Sequence, residues 1–318
     1  MNQHSPLSHK GSLIERAAEA YGFGLSAAPQ PRPQPDRAPE PVGAARASEP
    51  KSEAEPEATR QPARALVPAR PVFSGAPAAV DRALLRANGC IDPDAPAGAL
   101  AEELRLVKRQ LLLGASPGSS VVSPKRRTIL VCSAQPDDGK SFCALNLALS
   151  IAAERDREVL LVDADYPKPE VAALLGIEAT GAGLVDALAD RSLDPEALVV
   201  PTDVPGLSIL PAGRHASDVP ELLASARTRE VLDRLSDAQP NRIVLFDSPP
   251  ALMASAASVL AAHVGQLVMV VRADSTTEAD LREAVGLLSG CEHISLLLNG
   301  TGFAATGRRF GSYYGYGQ

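Results

Sequence analysis

Eight residues, Ala134-Gln-Pro-Asp-Asp-Gly139-Lys140-Ser141, carry the strongest chemical signal in this 318-residue sequence. They follow an aliphatic run, Thr128-Ile-Leu-Val-Cys132, and precede a helical pattern from Lys140 to about Arg155. A small residue, four variable positions and Gly-Lys-Ser, set between strand and helix, form a loop whose backbone N–H groups cradle phosphate. Lys140 can reach the terminal phosphates of ATP, Ser141 can ligate Mg²⁺, and Gly139 permits close backbone approach. The nucleotide-binding set read from this loop is Ala134, Gln135, Pro136, Asp137, Asp138, Gly139, Lys140, Ser141 and Phe142. Ala134 stands where glycine is commoner. Two aspartates are unwelcome beside a triphosphate, so Asp137 and Asp138 must point outward.

Other carboxylates arrive at strand ends. Asp163 and Asp165 follow the run Val159–Val162; two residues apart, they project to the same side. Asp247 ends the run Ile243–Phe246. Mg²⁺ takes oxygen ligands in octahedral geometry, which Ser141, Asp165 and Asp247 supply together with phosphate oxygens and water. Asp163 is then free to accept a proton. A matching donor lies at the C-terminus, where Tyr313, Tyr314 and Tyr316, three of the five tyrosines, stand among glycines. A phenol with a pKa of about 10 must lose its proton as it attacks, which gives a nearby aspartate base a task. Plainer roles are available to the same residues: strand-end aspartates cap helices, and aromatics can pack in a terminal strand.

The elements that must position this chemistry are legible as a change of period. Thr128–Cys132, Val159–Val162, Leu207–Leu210, Ile243–Phe246, Gln266–Val271 and Ile294–Leu298 are short continuous aliphatic runs separated by helical segments or loops. Continuous apolarity means strands covered on both faces, and their alternation with helices means a parallel sheet. The predicted fold is a doubly wound, mostly parallel α/β sandwich of the P-loop class, with its ligands at the C-terminal strand ends. Ahead of it, residues 98–114 form a helix with an apolar stripe of Leu100, Leu104, Val107 and Leu111, flanked by Glu102, Arg105 and Lys108.

Composition sets the remaining bounds. Residues 27–77 hold 12 of the 28 prolines and almost no large aliphatics, too little apolar surface to offset the entropy of ordering. The expected organisation is a short helix within residues 1–26, a disordered linker over 27–97, the P-loop domain over 98–305 and a tyrosine-rich tail over 306–318. A net charge of -7 argues against a nucleic-acid binder. Cys90, Cys132, Cys143 and Cys291 show no paired spacing, hence neither zinc nor disulfides are indicated. With no signal-peptide order and no run of about 18 apolar residues, the reading is a cytoplasmic chain without direct membrane insertion.

These motifs together resemble the bacterial tyrosine kinases of exopolysaccharide and capsule synthesis, in their separate cytoplasmic-subunit form and nearest the exosortase-associated type. Ser133-Ala-Gln-Pro-Asp-Asp-Gly-Lys-Ser141, Leu160-Leu-Val-Asp-Ala-Asp165, Leu210-Pro-Ala-Gly213 with Pro220-Glu-Leu-Leu223, Phe246-Asp-Ser-Pro-Pro250 and the tyrosine tail carry the likeness, with Ser12-Leu-Ile-Glu-Arg16 outside the core. The resemblance implies autophosphorylation in trans on the tail, activation by a membrane polysaccharide copolymerase that recruits the chain to the membrane, reversal by a tyrosine phosphatase, and control of polymer export. It also implies that Glu102, Arg105 and Lys108 form a ring-building edge, and that Asn299 contacts adenine. Two other readings remain: a partition or division-site ATPase, which usually has a lysine where this chain has Gln135, and a non-catalytic scaffold subunit of an export complex.

Overall fold

The computed structural model describes residues 76–115, 124–214 and 218–301. The chain divides into two units, Met1–Ala63 and Arg64–Gln318, and all described residues belong to the second. The proposed helix near residues 12–21 and the tail tyrosines Tyr313, Tyr314 and Tyr316 lie outside the described residues.

Seven strands make one sheet: β1 (Thr128–Ser133), β2 (Glu158–Asp163), β3 (Val200–Pro201), β4 (Leu207–Leu210), β5 (Arg242–Asp247), β6 (Gln266–Arg272) and β7 (Ile294–Asn299). Their order is β3-β4-β2-β5-β1-β6-β7, all neighbours being parallel except the β3–β4 pair. Aliphatic continuity has the expected consequence in the central strands, whereas β7, equally aliphatic, leaves Leu296 and Leu298 61% and 60% exposed. Leu130, Cys132, Leu160, Val162, Val244 and Phe246 enter one core, while Ile129, Val131, Val159, Leu161, Ile243 and Leu245 enter the other. Both faces are therefore dry, as a central parallel sheet requires. The two-residue β3 was not foreseen, because Val200-Pro201 is too short to show a period.

The helices are α1 (Arg82–Ala87), α2 (Ala99–Ala115), α3 (Lys140–Ala152), α4 (Val171–Leu174), α5 (Leu184–Ala189), α6 (Val219–Leu223), α7 (Ala226–Asp237), α8 (Ala256–Ala261) and α9 (Glu278–Leu287). Helix α3 is buried almost all round, between the sheet and α2. It ends at Ala152, before the charged stretch that sequence periodicity had included as far as Arg155.

One boundary moves. Residues 76–97, assigned to the disordered linker, are folded onto the sheet. Asp81 caps α1 by accepting from the Leu84 N–H, and Leu85 is wholly buried with Val80 and Cys90 in the α3-side core. The Ile91 N–H donates to the buried Asn146 Oδ1 at 2.7 Å, and Arg82 bridges Asp203 and Asp94 at 2.6 and 3.0 Å. A six-residue helix offers too few turns for a period, and its anchors are single side chains reaching more than 50 residues along the chain. Composition could not display them.

Candidate active site

The site is assembled where three parallel strands end side by side. Strand β5 lies between β1 and β2, with Asp247 in register with Val131 on one flank and Asp163 on the other. Adjacent parallel strands are about 4.8 Å apart, so the two carboxylates are direct neighbours. After β1 the chain turns through the phosphate loop into α3. Gly139 has φ +92°, and a Cβ there would stand 2.2 Å from the Asn299 side-chain nitrogen. Only glycine fits. Asp137 is also left-handed, at φ +62°, a region that aspartate tolerates.

Gly139 caps α3 without a side-chain hydrogen bond, which leaves the amides of the first turn free to face an anion. The Phe142 ring packs half-buried against the core below, which leaves only its backbone to face the loop. Ala134 is fully buried and Pro136 lies at the surface. Of the loop aspartates, Asp137 does point outward, its side chain 88% exposed. Asp138 does not. Its carboxylate is buried inside the loop, accepting from the Gln135 N–H at 3.1 Å and the Thr276 hydroxyl at 3.1 Å. The charge that was expected to face solvent instead braces the cradle. Asn299 also has a contact other than the expected one: its amide nitrogen donates to the Asp138 carbonyl at 2.9 Å, tying β7 to the loop.

Lys140 Nζ lies 2.5 Å from Asp165 Oδ2 and 3.1 Å from Ser141 Oγ, with both charged side chains nearly buried. Burial alone lowers its basicity; Asp247 and Asp165 outweigh that and raise it. Asp163 receives the N–H groups of Val171 at 3.0 Å and Asp165 at 3.3 Å. Even so, burial and then the charge of Asp247 push it up to about 7. Asp247 is likewise pushed up to about 7 by burial, against the pull of Lys140. Both its carboxylate oxygens are buried with no hydrogen-bond partner; the Ser141 hydroxyl is near enough to ease its ionisation but not in bonding geometry.

That orphaned carboxylate is the observation against which Mg²⁺ can be tested. Buried unpaired oxygen beside a serine hydroxyl and a second carboxylate is the donor set a hard cation takes. Among the described residues no three Asp, Glu, His or Cys side chains form a complete cage. Ser141, Asp165 and Asp247 fit a Mg²⁺ ion only if other oxygen ligands complete its shell. A cavity of about 820 Å³ lies elsewhere, lined by residues such as Leu100, Leu149 and Val204. It contains none of the phosphate-loop or strand-end carboxylate residues, so volume does not mark this site; converging charge does.

On α2, Leu104 and Leu111 are buried as expected. Arg105 and Glu102 pair with each other at 2.6 Å on the exposed side. Lys108, expected on that same charged edge, is buried: it donates to the Ser150 carbonyl at 3.0 Å and pairs with Glu154 at 2.5 Å. Each three-residue step falls about 60° short of a full turn, so the row Glu102, Arg105, Lys108 drifts around the helix until Lys108 faces α3. Sequence reasoning also missed Thr276 and Asn299 as supports of the phosphate loop, since both reach it from more than 130 residues away.

No family model matches the chain. The EpsB protein of Ralstonia nicotianae is 36% identical over 195 residues, covering 57% of this chain and 25% of that protein. Tyrosine-protein kinase YwqD of Bacillus subtilis is 30% identical over 181 residues, covering 56% of this chain and 74% of YwqD. The chain belongs to the bacterial tyrosine kinases. The solved kinase domain of Escherichia coli tyrosine kinase ETK superposes on this bacterial tyrosine kinase with a TM-score of 0.59 at 26% identity, covering 71% of this chain and 84% of that one. The chain spans about a quarter of the length of the first curated relatives it matches. In this tyrosine-kinase chain no described helix is long and apolar enough to cross a membrane.

Proposed function

We propose that this chain is an ATP-dependent protein-tyrosine autokinase that phosphorylates Tyr313, Tyr314 and Tyr316 in trans. It serves exopolysaccharide or capsule export, is activated at the membrane by a polysaccharide copolymerase and is reset by a tyrosine phosphatase. The carrying observation is the pairing of Asp163 and Asp247 beside the phosphate cradle, one held by backbone N–H groups and the other left without a partner.

The division of labour follows from that contrast. Amides of the cradle and Lys140 hold the phosphates, Lys140 exchanging Asp165 for the incoming anion. Asp165, Asp247 and Ser141 would hold Mg²⁺, which supplies neutralisation of the charge developing on the transferred phosphoryl group. Asp163, oriented by Val171 and Asp165 and poised at about 7, takes the phenolic proton of the attacking tyrosine. Gln135, at the position where partition ATPases carry a signature lysine, is turned to Asp280 of α9 at 3.4 Å. Nothing at that position favours the partition reading.

Incubation with γ-labelled ATP and Mg²⁺, followed by mapping of the modified residues, tests the proposal. Label should accumulate on the tail tyrosines and vanish when all three are replaced by Phe, with ATP binding unchanged. Hydrolysis without phosphotyrosine would mark a nucleotide switch instead, and binding without either reaction would mark a scaffold.

A further inference from the structure

A second lysine stands at the rim of the cradle. Lys168 lies in Tyr166-Pro-Lys-Pro169, just after β2. Proline on each side restricts its backbone, because Pro169 disfavours the helical region for the residue before it. Its N–H is bound to Asp165, by the carbonyl at 3.1 Å and the carboxylate at 3.3 Å. The residue that pairs with Lys140 therefore also fixes where Lys168 starts. Its ammonium reaches Glu170 at 2.9 Å and Asp137 of the phosphate loop at 3.9 Å, and the side chain remains 67% exposed.

These contacts are those of a cation held in reserve. Exposed ion pairs of this kind contribute little to stability, so the arrangement has no strong structural purpose. Charge at the site does call for it. Asp137 stands exposed and Glu170 part-exposed beside Lys168, Asp163, Asp165 and Asp247 are buried at the strand ends, and Lys140 is already paired with Asp165. Arg272, at the end of β6, is engaged with the Asp137 carbonyl at 2.8 Å. Lys168 and Lys140 are close enough for each ammonium to feel the other's charge. To bind phosphate, Lys168 gives up its exposed pair with Glu170 at 2.9 Å and its longer approach to Asp137 at 3.9 Å. A multiply charged phosphate is a stronger partner for an ammonium than either solvated carboxylate.

We infer that Lys168 is a second phosphate-binding lysine, which leaves Asp137 for the terminal phosphate of ATP and so distinguishes ATP from ADP. The inference rests on the nucleotide-binding reading of the site. In the empty site Lys168 screens Asp137; in the loaded site it adds a charge-assisted hydrogen bond that only the triphosphate can accept.

Displacement of a fluorescent nucleotide tests it, using MgADP and a non-hydrolysable Mg–ATP analogue on the full chain, Lys168→Ala, Lys168→Arg and Lys140→Met. Lys168→Ala should weaken the triphosphate about tenfold, the scale of one charge-assisted hydrogen bond, and ADP less than twofold. Lys168→Arg should restore most of the difference, and Lys140→Met should weaken both nucleotides. Equal losses for ADP and the ATP analogue in Lys168→Ala would overturn the recognition of the terminal phosphate, and no loss at all would reduce Lys168 to a surface ion pair. If the unaltered chain binds neither nucleotide, the nucleotide reading itself falls, and this inference with it. Because the side chain is exposed, Lys168→Ala should keep the fold, which an unchanged thermal midpoint verifies.

Discussion

Asp163 and Asp247 are register partners, ending the adjacent parallel strands β2 and β5 with side chains 2% and 0% exposed. Two carboxylates brought together out of water cannot both be comfortably ionised. Among the described residues Lys140 is the cation whose charge acts on Asp247, and it is paired with Asp165, so the two buried carboxylates make the site a receptor for further positive charge. Their difference is local: backbone N–H groups reach Asp163, and none reaches Asp247.

A stability measurement follows from this pair. Both are pushed up to about 7 from an ordinary 3.8. Between about pH 4 and pH 7 the folded state retains protons that the unfolded chain has released, so stability falls as pH rises through 7. Asp247→Asn should therefore raise the thermal midpoint of the nucleotide-free protein at pH 8 by several degrees, corresponding to about 1–3 kcal/mol. The gain should disappear near pH 5, where the native carboxyl is already neutral. A midpoint lowered at pH 8 would show that Asp247 is paired in solution.

The same substitution should impair function, and differently from its neighbour. Asp247→Asn removes the proposed Mg²⁺ ligand, so Mg²⁺-dependent ATP binding should weaken. Asp163→Asn should bind ATP normally yet slow tyrosine phosphorylation by about 10²–10⁴-fold, the usual contribution of a general base. In the unaltered chain that rate should climb with pH through about 7 as Asp163 ionises, and the climb should flatten in Asp163→Asn. Identical behaviour of the two variants would dissolve the division into base and metal ligand.

Lys140→Met should abolish phosphorylation, since it removes the ammonium from the transferring group. The buried contact with Asp165 at 2.5 Å adds a structural cost, because Met leaves that carboxylate without its partner. Thermal unfolding should show a loss that Lys140→Met with Asp165→Asn largely recovers, while activity stays absent. Recovery of activity in the double variant would contradict the phosphate-binding role.

Helix α2 separates fold from assembly. Lys108→Ala should destabilise the chain by roughly 1–3 kcal/mol, since its buried ammonium donates to the Ser150 carbonyl between α2 and α3, with the half-exposed Glu154 contributing less. Arg105→Glu, on the exposed face, should leave the thermal midpoint nearly unchanged. If the exposed pair of Glu102 and Arg105 builds a ring, light scattering should show a large oligomer for the unphosphorylated chain and a monomer for Arg105→Glu. A monomer in both would leave Arg105 and Glu102 as solvated surface.

Much of the site was legible because its signals are local. Lys140 and Ser141 follow a glycine that opens a helix, and Asp163, Asp165 and Asp247 stop apolar runs; chain geometry then delivers them to one end of a parallel sheet. The six longer strands were legible for a related reason. A strand covered on both faces is aliphatic at nearly every position; β7 carries the same mark although Leu296 and Leu298 are exposed, so the pattern located that strand but not its cover. Sequence could not decide which charges pair once delivered. Asp138 bracing its own loop, Asn299 holding that loop from β7, and Lys108 turned inward from Arg105 all depend on side chains meeting across long separations. Residues 76–97 were hidden likewise, held by Leu85, Asn146 and Asp203 rather than by any period of their own. Local pattern specifies a backbone element, whereas the partner of a charge and the burial that shifts its ionisation arise only when distant elements pack together and exclude water.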